Sequence, residues 1–199
     1  MLQGGGPFVD NDDLDRRILD GVGRVVVLPT ADAYEQPADL VEVAAAWGER
    51  IGVEVEPVMV LTRRDITDET VAAVAGAPAV FLAGDSGIHL RSVLKDTPLF
   101  DAIRDVLERD GIVIASAQAA AALCDPLTDG RGGAFALGLG LVDGVALVTR
   151  AGSWPADQLE RTRSMATTPL VELPVGSALI RSGDEWTTFG DVVVRGELP

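Results

Sequence analysis

The sequence has very few of the residues that form disulfides, metal sites and catalytic bases. Its 199 residues include one cysteine, Cys124, and one histidine, His89. A single cysteine excludes an intrachain disulfide and fits a reducing compartment, so we expect a cytoplasmic location. A metal site needs several His, Cys or Asp side chains at suitable spacing, and the sequence has no such pattern. We therefore expect no metal and no bound cofactor.

Positive charge is also scarce. Of sixteen basic residues only Lys95 is a lysine, and 31 acidic residues bring the net charge to −15. An acidic surface repels phosphate backbones and anionic lipids, so we expect neither a nucleic acid nor a membrane partner. A salt-adapted or high-GC source would give the same composition, and we take this as the origin of the charge. No apolar run reaches the ~18 residues of a membrane span. The first residues, MLQGGGPFVDNDD, lack the pattern of a signal peptide.

Short apolar runs alternate with helical patterns along the first two thirds of the chain. Hydrophobic residues make up 47% of it, which is enough for a buried core. The predicted strands are 24–28, 53–61, 79–82 and 111–115. The predicted helices are 38–51, 68–75, 90–94, 97–110 and 117–124. The β-branched run at 24–28 indicates a strand buried on both faces. This order predicts an α/β fold with a doubly wound, mostly parallel sheet and helices on both faces.

The last third of the chain reads as short strands around turns, at 145–149, 177–181, 186–189 and 191–194. We interpret them as an antiparallel extension of the same sheet, so residues 1–199 are expected to form one domain. Near the start, Gly4-Gly5-Gly6 resembles a phosphate-binding loop, but the lysine and the strand–loop–helix context of such a loop are missing. We expect a tight turn after a short first strand near the sheet edge.

Ser116 lies where a predicted buried strand meets a helix of small residues. In a strand-to-helix elbow a serine Oγ projects above the carboxyl edge of the sheet, and the helix N-terminus stabilises developing negative charge. We therefore identify Ser116 as a candidate nucleophile, with the N–H groups of Gly84 and Ala117 as candidate oxyanion donors. The alternative is that Ser116 is only the N-cap of the helix, a common position for serine.

Several segments in order along the chain carry a resemblance to a known family. They are LPTADAYEQP at 28–37, AGDSGIHLRSVLKDTPL at 83–99, DGRGGAF at 129–135, GLGL at 138–141, and SALI at 177–180 followed by Trp186. They resemble the serine peptidases of the cyanophycinase and aspartyl dipeptidase (peptidase E) group, and a small bacterial branch most of all. The resemblance implies the class I glutamine amidotransferase-like, flavodoxin-like fold and serine-type peptidase chemistry. It also implies a homodimer or pairing with an active relative.

The catalytic positions depart from the family pattern. The family elbow is Gly-(Thr/Ser)-Ser-Ala-Gly-Ala, and the matching stretch here is Ile114-Ala115-Ser116-Ala117-Gln118-Ala119. Ser116 then falls on the nucleophile, and both glycines are replaced. The family's base histidine follows the GLGL segment, where Arg150 is the best match, and Val175 stands at the place of the family's acid. Arginine stays protonated, so it cannot accept the serine proton.

The changed positions favour a catalytically impaired pseudo-peptidase with a binding or regulatory role. The alternative is an active serine hydrolase on small peptides, using Ser116 with a non-standard base. His89, the only histidine, is the candidate for that base, although a role in the substrate pocket competes with it. Asp85, Gln118 and Arg150 are further candidate site residues. Arg150 would bind a carboxylate or a phosphate, and a small peptide or carboxylate is the expected ligand.

Cys124 lies eight residues beyond Ser116 on the same predicted helix, which places it about 12 Å below the elbow. We interpret it as a core cysteine. Glutamine amidotransferase activity is not expected, because that chemistry would need the cysteine at the elbow.

Overall fold

The computed structural model describes all residues from Met1 to Pro199. The strands are β1 (Leu2–Gln3), β2 (Arg24–Leu28), β3 (Glu54–Pro57), β4 (Ala79–Leu82), β5 (Ile112–Ser116), β6 (Cys124–Asp125), β7 (Leu127–Thr128), β8 (Phe135–Ala136), β9 (Val142–Asp143), β10 (Ala146–Thr149), β11 (Leu170–Leu173), β12 (Ala178–Ser182), β13 (Glu185–Phe189) and β14 (Val193–Arg195). The α-helices are α1 (Asp12–Ile18), α2 (Pro37–Ile51), α3 (Asp68–Ala75), α4 (Gly87–Leu94), α5 (Pro98–Glu108), α6 (Gln118–Leu123) and α7 (Ala156–Met165). Short 3-10 helices occur at Thr30–Asp32, Arg63–Asp65 and Ala151–Ser153. None of the helices combines the length and apolar character needed to cross a bilayer.

A seven-stranded sheet in the order β13-β12-β1-β5-β4-β2-β3 forms the centre of the molecule. Strands β1 to β5 run parallel to one another, whereas β12 pairs antiparallel with both β1 and β13. Helices cover both faces, so the predicted doubly wound α/β fold is confirmed. The predicted strands at 24–28 and 79–82 and the predicted helix at 68–75 match the structure in both bounds.

Alternation along the strands divides the apolar residues between two cores. Val25 and Val27 of β2 pack with Trp47 of α2 and Phe81 of β4. The intervening Val26 belongs to the larger core under α3 to α6. Successive strand side chains point to opposite faces, so a continuous apolar run supplies both cores at once.

Three elements of four or more residues carried too little apolar pattern to be predicted. Helices α1 and α7 are short and largely charged, and each offers few apolar positions to a core. Strand β11 is interrupted by Glu172, which is buried and accepts hydrogen bonds from Arg163 and Arg195. All three elements are held by tertiary contacts rather than by a local stripe of apolar residues.

Two placements differ from the sequence-based expectations. First, β1 is not near the sheet edge but lies between β5 and β12. Second, only β12 and β13 extend the main sheet antiparallel, while β10, β11 and β14 form a separate sheet in which β10 and β11 are parallel. The expected strand at 53–61 is also shorter in the structure and ends at Pro57.

Candidate functional site

The strand-to-helix elbow forms as expected, but its turn is made by Ala117. Strand β5 ends at Ser116 and α6 begins at Gln118, and Ala117 between them has φ 57° and ψ −137°. A positive φ is uncommon for a residue with a side chain, and a conformation of this kind costs about 1–3 kcal/mol. The nucleophile of an α/β-hydrolase elbow occupies such a strained turn. Here that position carries only a methyl group.

Ser116 is placed differently from the expectation that its Oγ projects above the sheet. It is the last residue of β5, is paired with Gln3 of β1 and is fully buried. Its Oγ has no hydrogen-bond partner. By strand alternation its side chain lies on the same face as Ile114, toward the core that contains Trp47. The reason is that pairing with β1 keeps Ser116 in the sheet, so the chain turns one residue later.

The two candidate oxyanion donors differ in their hydrogen bonding. The N–H of Ala117 donates to the Gln3 carbonyl at 3.2 Å, so it is already used within the fold. Gly84 has φ 122°, and a Cβ there would lie 2.5 Å from the backbone of Ala31. Its carbonyl accepts the Ala119 N–H at 3.1 Å, while its own N–H makes no hydrogen bond. Of the two candidates, only Gly84 keeps a free amide hydrogen.

A cleft of about 510 Å³ opens at the carboxyl edge of the sheet, next to this elbow. Asp85 lines it from the end of β4, Gln118 from the start of α6, and Arg150 from the end of β10. Tyr34 and Trp154 contribute aromatic walls. Three of the predicted site residues therefore meet in one cleft, whereas Ser116, Gly84, Ala117 and His89 do not line it.

Arg150 bridges the cleft to Asp85. Its Nη1 donates to Asp85 Oδ2 at 2.7 Å, and both side chains are partly exposed. A pair this accessible contributes at most about 1 kcal/mol to stability. The backbone of Arg150 is left-handed, with φ 52°, and its N–H donates to the Gly4 carbonyl at 2.6 Å.

The glycines at positions 4–6 leave space for the side chain of Arg150. A Cβ on Gly5 would lie 2.7 Å from Cγ of Arg150, and one on Gly4 would lie 2.0 Å from the Pro174 carbonyl oxygen. The Gly4-Gly5-Gly6 segment thus forms the expected turn after β1. Its lack of side chains allows a close approach of the backbone and of Arg150.

Gln118 closes the cleft floor beside the elbow. Its Nε2 donates to Thr149 Oγ1 at 3.0 Å, and its Oε1 accepts the Gly130 N–H at 3.2 Å. A Cβ on Gly130 would lie 2.6 Å from Gln118 Nε2, so a side chain there would displace the Gln118 amide. Next to it, Arg131 pairs with both carboxylate oxygens of Asp129 and holds the pKa of that carboxyl below its usual value.

His89 does not approach the elbow. Its Nε2 lies 2.8 Å from the Leu61 carbonyl oxygen, so this nitrogen carries the proton and donates. The ring meets Tyr34 edge to face at a centroid distance of 4.6 Å. The structure does not bring His89 to Ser116, and the contacts of His89 are those of a residue that supports the cleft wall.

The sequence did not single out Thr149, the Asp129–Arg131 loop, or Tyr34 and Trp154 as cleft residues. Trp154 donates its Nε1–H to the Thr149 carbonyl at 3.0 Å, which fixes the indole against the cleft. The DGRGGAF segment and the LPTADAYEQP segment, which contains Tyr34, gave a signal only as parts of the family resemblance. The others join the cleft through contacts between distant parts of the chain.

The electrostatic character of the cleft is mixed. Burial raises the pKa of Asp32 at the cleft side, and the negative charges of Asp85 and Glu35 raise it further. Cys124 is buried away from the cleft, and burial raises the pKa of its thiol. No cluster of three or more His, Cys, Asp or Glu side chains has the arrangement to hold a metal ion.

Comparison with solved structures identifies the fold. A peptidase from an acI-B1 Actinobacterium superposes with a TM-score of 0.81 at 23% identity, over 96% of this chain and 86% of that one. A protein of Listeria monocytogenes EGD-e provisionally assigned as a peptidase E superposes with a TM-score of 0.75 at 16% identity, over 94% of this chain and 96% of that one. No protein-family model and no curated protein matches the sequence. The chain therefore has the fold of these peptidase structures, as its resemblance to that group implied.

Proposed function

We propose that this chain is a degenerate relative of the peptidase E and cyanophycinase group that binds a small peptide or carboxylate in its cleft without hydrolysing it. The observation that carries the proposal is Ala117 at the strained turn of the elbow. Covalent peptidase chemistry needs a hydroxyl or thiol at that point, and a methyl group cannot form the acyl intermediate. The buried Ser116 beside it has no path to a ligand in the cleft.

The base position supports the same conclusion. A general base must come within hydrogen-bond reach of the proton that it accepts. Arg150, which matches the family's histidine position, is a permanent cation, and it pairs with Asp85. The only histidine, His89, uses its Nε2 on the Leu61 carbonyl.

The cleft has two groups that can bind an anion, the Arg150 guanidinium and the N-terminus of α4. The Arg150 guanidinium has five N–H donors, and Asp85 occupies one of them. Gly87, the first residue of the eight-residue helix α4, also lines the cleft, and a helix N-terminus favours negative charge. A planar carboxylate on Arg150, with a short peptide lying between Tyr34 and Trp154, fits both the charge and the shape of the walls.

The absence of hydrolytic chemistry is tested with a fluorophosphonate probe, with the labelled residue located by mass spectrometry. We expect no labelling of the parent or of Ala117→Ser, because neither has a base beside the elbow. The double variant Ala117→Ser/Arg150→His restores a hydroxyl at the turn and a base at the matching position, so we expect it to be labelled at residue 117. Labelling of the parent at Ser116, lost in Ser116→Ala, would instead establish the active serine hydrolase.

Ligand binding is tested by NMR titration with the dipeptide Ala-Ala and its C-terminal amide. We expect Ala-Ala to shift the indole resonance of Trp154 and the side-chain amide of Gln118, and the amide to bind more weakly. Arg150→Gln should remove the preference for the free carboxylate. Arg131→Gln is the matched control, because Arg131 also lines the cleft but is committed to Asp129. An equal loss in both variants would contradict a specific role for Arg150.

A further inference from the structure

A second cavity of about 580 Å³ lies at the amino edge of the sheet, away from the cleft, and shares no residue with it. Met1 and Leu2 line it between the ends of β5 and β12. Strand β5 begins at Ile112, three residues before Ala115, the partner of Leu2. Strand β12 continues three residues beyond Leu179, its own partner of Leu2. Between these two overhanging ends the sheet leaves an open space, which we call the apolar groove.

The walls of the apolar groove come from both faces of the sheet and are mainly aliphatic. They include Leu2, Ile18, Ile112, Leu123, Leu179 and Trp186. Leu2, Leu123 and Leu179 also belong to the main core, so this part of the wall is preformed. A concave, largely apolar space with a few polar groups at its rim is the usual form of a small-molecule site, and its volume is within the range of such sites.

Arg181 stands at the rim of the apolar groove. Its guanidinium carbon lies 5.3 Å from the centroid of the Trp186 ring, and its Nε donates to the Gly183 carbonyl at 3.0 Å. The nearest carboxylate, that of the fully exposed Asp184, is 3.9 Å away, too far for a strong hydrogen bond. The guanidinium is therefore held in place while its terminal N–H groups stay open to a ligand.

We propose that the apolar groove binds an amphipathic monocarboxylate, with its hydrocarbon chain against the aliphatic walls and its carboxylate on Arg181. Removal of the chain from water supplies the affinity. A charge-assisted hydrogen bond from the arginine sets the orientation. Asp110, the one acidic side chain of the groove, disfavours the reversed orientation because it repels an anionic head group. Binding of an anion by a chain of net charge −15 requires a local cation, and Arg181 is the only basic side chain of this groove. The amino group of Met1 also lines the groove but donates to the Val113 carbonyl at 2.8 Å.

The test compares decanoate with decyltrimethylammonium, both below their micelle concentrations, by NMR of the tryptophan indole resonances in the full chain. We expect decanoate to shift the Trp186 indole and to leave Trp47 and Trp154 unchanged. The net charge of the protein favours the cation, so tighter binding of decanoate isolates the effect of Arg181. Arg181→Gln should weaken decanoate binding about tenfold, in line with the loss of one charge-assisted hydrogen bond. It should not weaken the binding of decyltrimethylammonium, because loss of a positive charge at the rim cannot repel a cation.

A filling variant provides the second readout. Leu141 is a half-buried loop residue of the groove, and Leu141→Trp should block decanoate without removing a strand contact. Equal binding of both detergents, or no shift at Trp186, would overturn the proposal. A concentration-dependent shift of Trp186 in the absence of any ligand would overturn it too, because a second copy of the chain would then cover the groove. None of these outcomes bears on the dipeptide titration of the cleft.

Discussion

At Ala117 the backbone keeps a conformation that costs free energy, although the side chain has no atom that could use it for chemistry. The strain is tolerated because hydrogen bonds hold the turn on both sides. The Ala117 N–H donates to the Gln3 carbonyl of β1, and the Ala119 N–H of α6 donates to the Gly84 carbonyl. The backbone geometry of a nucleophile elbow therefore occurs here at an alanine. The residue that occupies the nucleophile position is therefore found from the backbone turn, and not from the nearest serine in the sequence.

Asp15 is a buried carboxyl group whose charged form lowers the stability of the folded state. It is fully buried, and its carboxylate accepts hydrogen bonds from Gln3 Nε2 at 2.6 Å and Trp47 Nε1 at 3.0 Å. Burial raises its pKa to about 6, and the two hydrogen bonds oppose that rise only in part. The folded pKa is above the unfolded value, so protonation stabilises the folded state. The stability from this group is present below pH ~4 and is lost as the pH rises through about 6.

We predict that Asp15→Asn stabilises the protein at pH 8 by about 2 kcal/mol and flattens the dependence of stability on pH between 4 and 7. The fold can accept the amide because Gln3 Oε1 has no partner, and rotation of the Gln3 amide would let it accept from the new N–H. Urea unfolding across this pH range provides the measurement. The exposed Asp20→Asn is the control, with an expected change below about 0.5 kcal/mol. Parallel curves for the parent and Asp15→Asn would contradict the assignment.

Between elements, the pairing of Arg150 with Asp85 joins the ends of β10 and β4 across the cleft. In our proposal a ligand carboxylate competes with Asp85 for the same guanidinium. We predict that Asp85→Asn strengthens Ala-Ala binding roughly threefold, because an exposed pair of this kind is worth less than about 1 kcal/mol. Isothermal titration calorimetry measures the change. Glu35→Gln controls for the general charge of the cleft, and an equal gain there would rule out direct competition.

The second sheet depends on one buried carboxylate. Glu172 of β11 accepts from Arg163 of α7 at 2.8 Å and from Arg195 of β14 at 2.5 Å. The hydrogen bonds from Arg163 hold the pKa of Glu172 below its usual value, against the effect of its burial. The folded pKa is depressed, so this contribution to stability is present above pH ~4.5 and is lost as the pH falls through the folded value.

We predict that Glu172→Gln destabilises the protein by about 3 kcal/mol at neutral pH, since removal of one partner leaves Arg163 and Arg195 without their shared anion. Thermal and urea unfolding at pH 7 test this. Glu160 also pairs with Arg163 but is largely exposed, so Glu160→Gln should cost less than about 0.5 kcal/mol. Similar losses in the two variants would mean that burial of Glu172 adds nothing to the interaction.

For the molecule as a whole, a net charge of −15 implies self-repulsion that the folded state must bear. We predict that an increase of NaCl from 20 mM to 0.5 M raises Tm by on the order of 2–4 °C, equivalent to about 1 kcal/mol for a chain of this size. The Debye length shortens over this range, and the repulsion is screened. Differential scanning calorimetry at the two NaCl concentrations measures the change in Tm. A fall in Tm with salt would mean that the surface ion pairs outweigh the repulsion.

The sequence alone determined the α/β class and the parallel strands of the main sheet, because β-branched runs such as Val25-Val26-Val27 indicate strands buried on both faces. The sequence also showed that histidine and cysteine, the usual residues of catalytic bases and metal sites, occur only once each. The position of the turn was decided only by tertiary structure. The local sequence does not show whether Ser116 or Ala117 makes the turn. Ser116 stays in the strand because it pairs with Gln3, 113 positions earlier in the chain. The same holds for the cleft, where Arg150 meets Asp85 across 65 positions. Contacts over such separations follow from how β1, β4, β5 and β10 pack together, and no local pattern of residues encodes them.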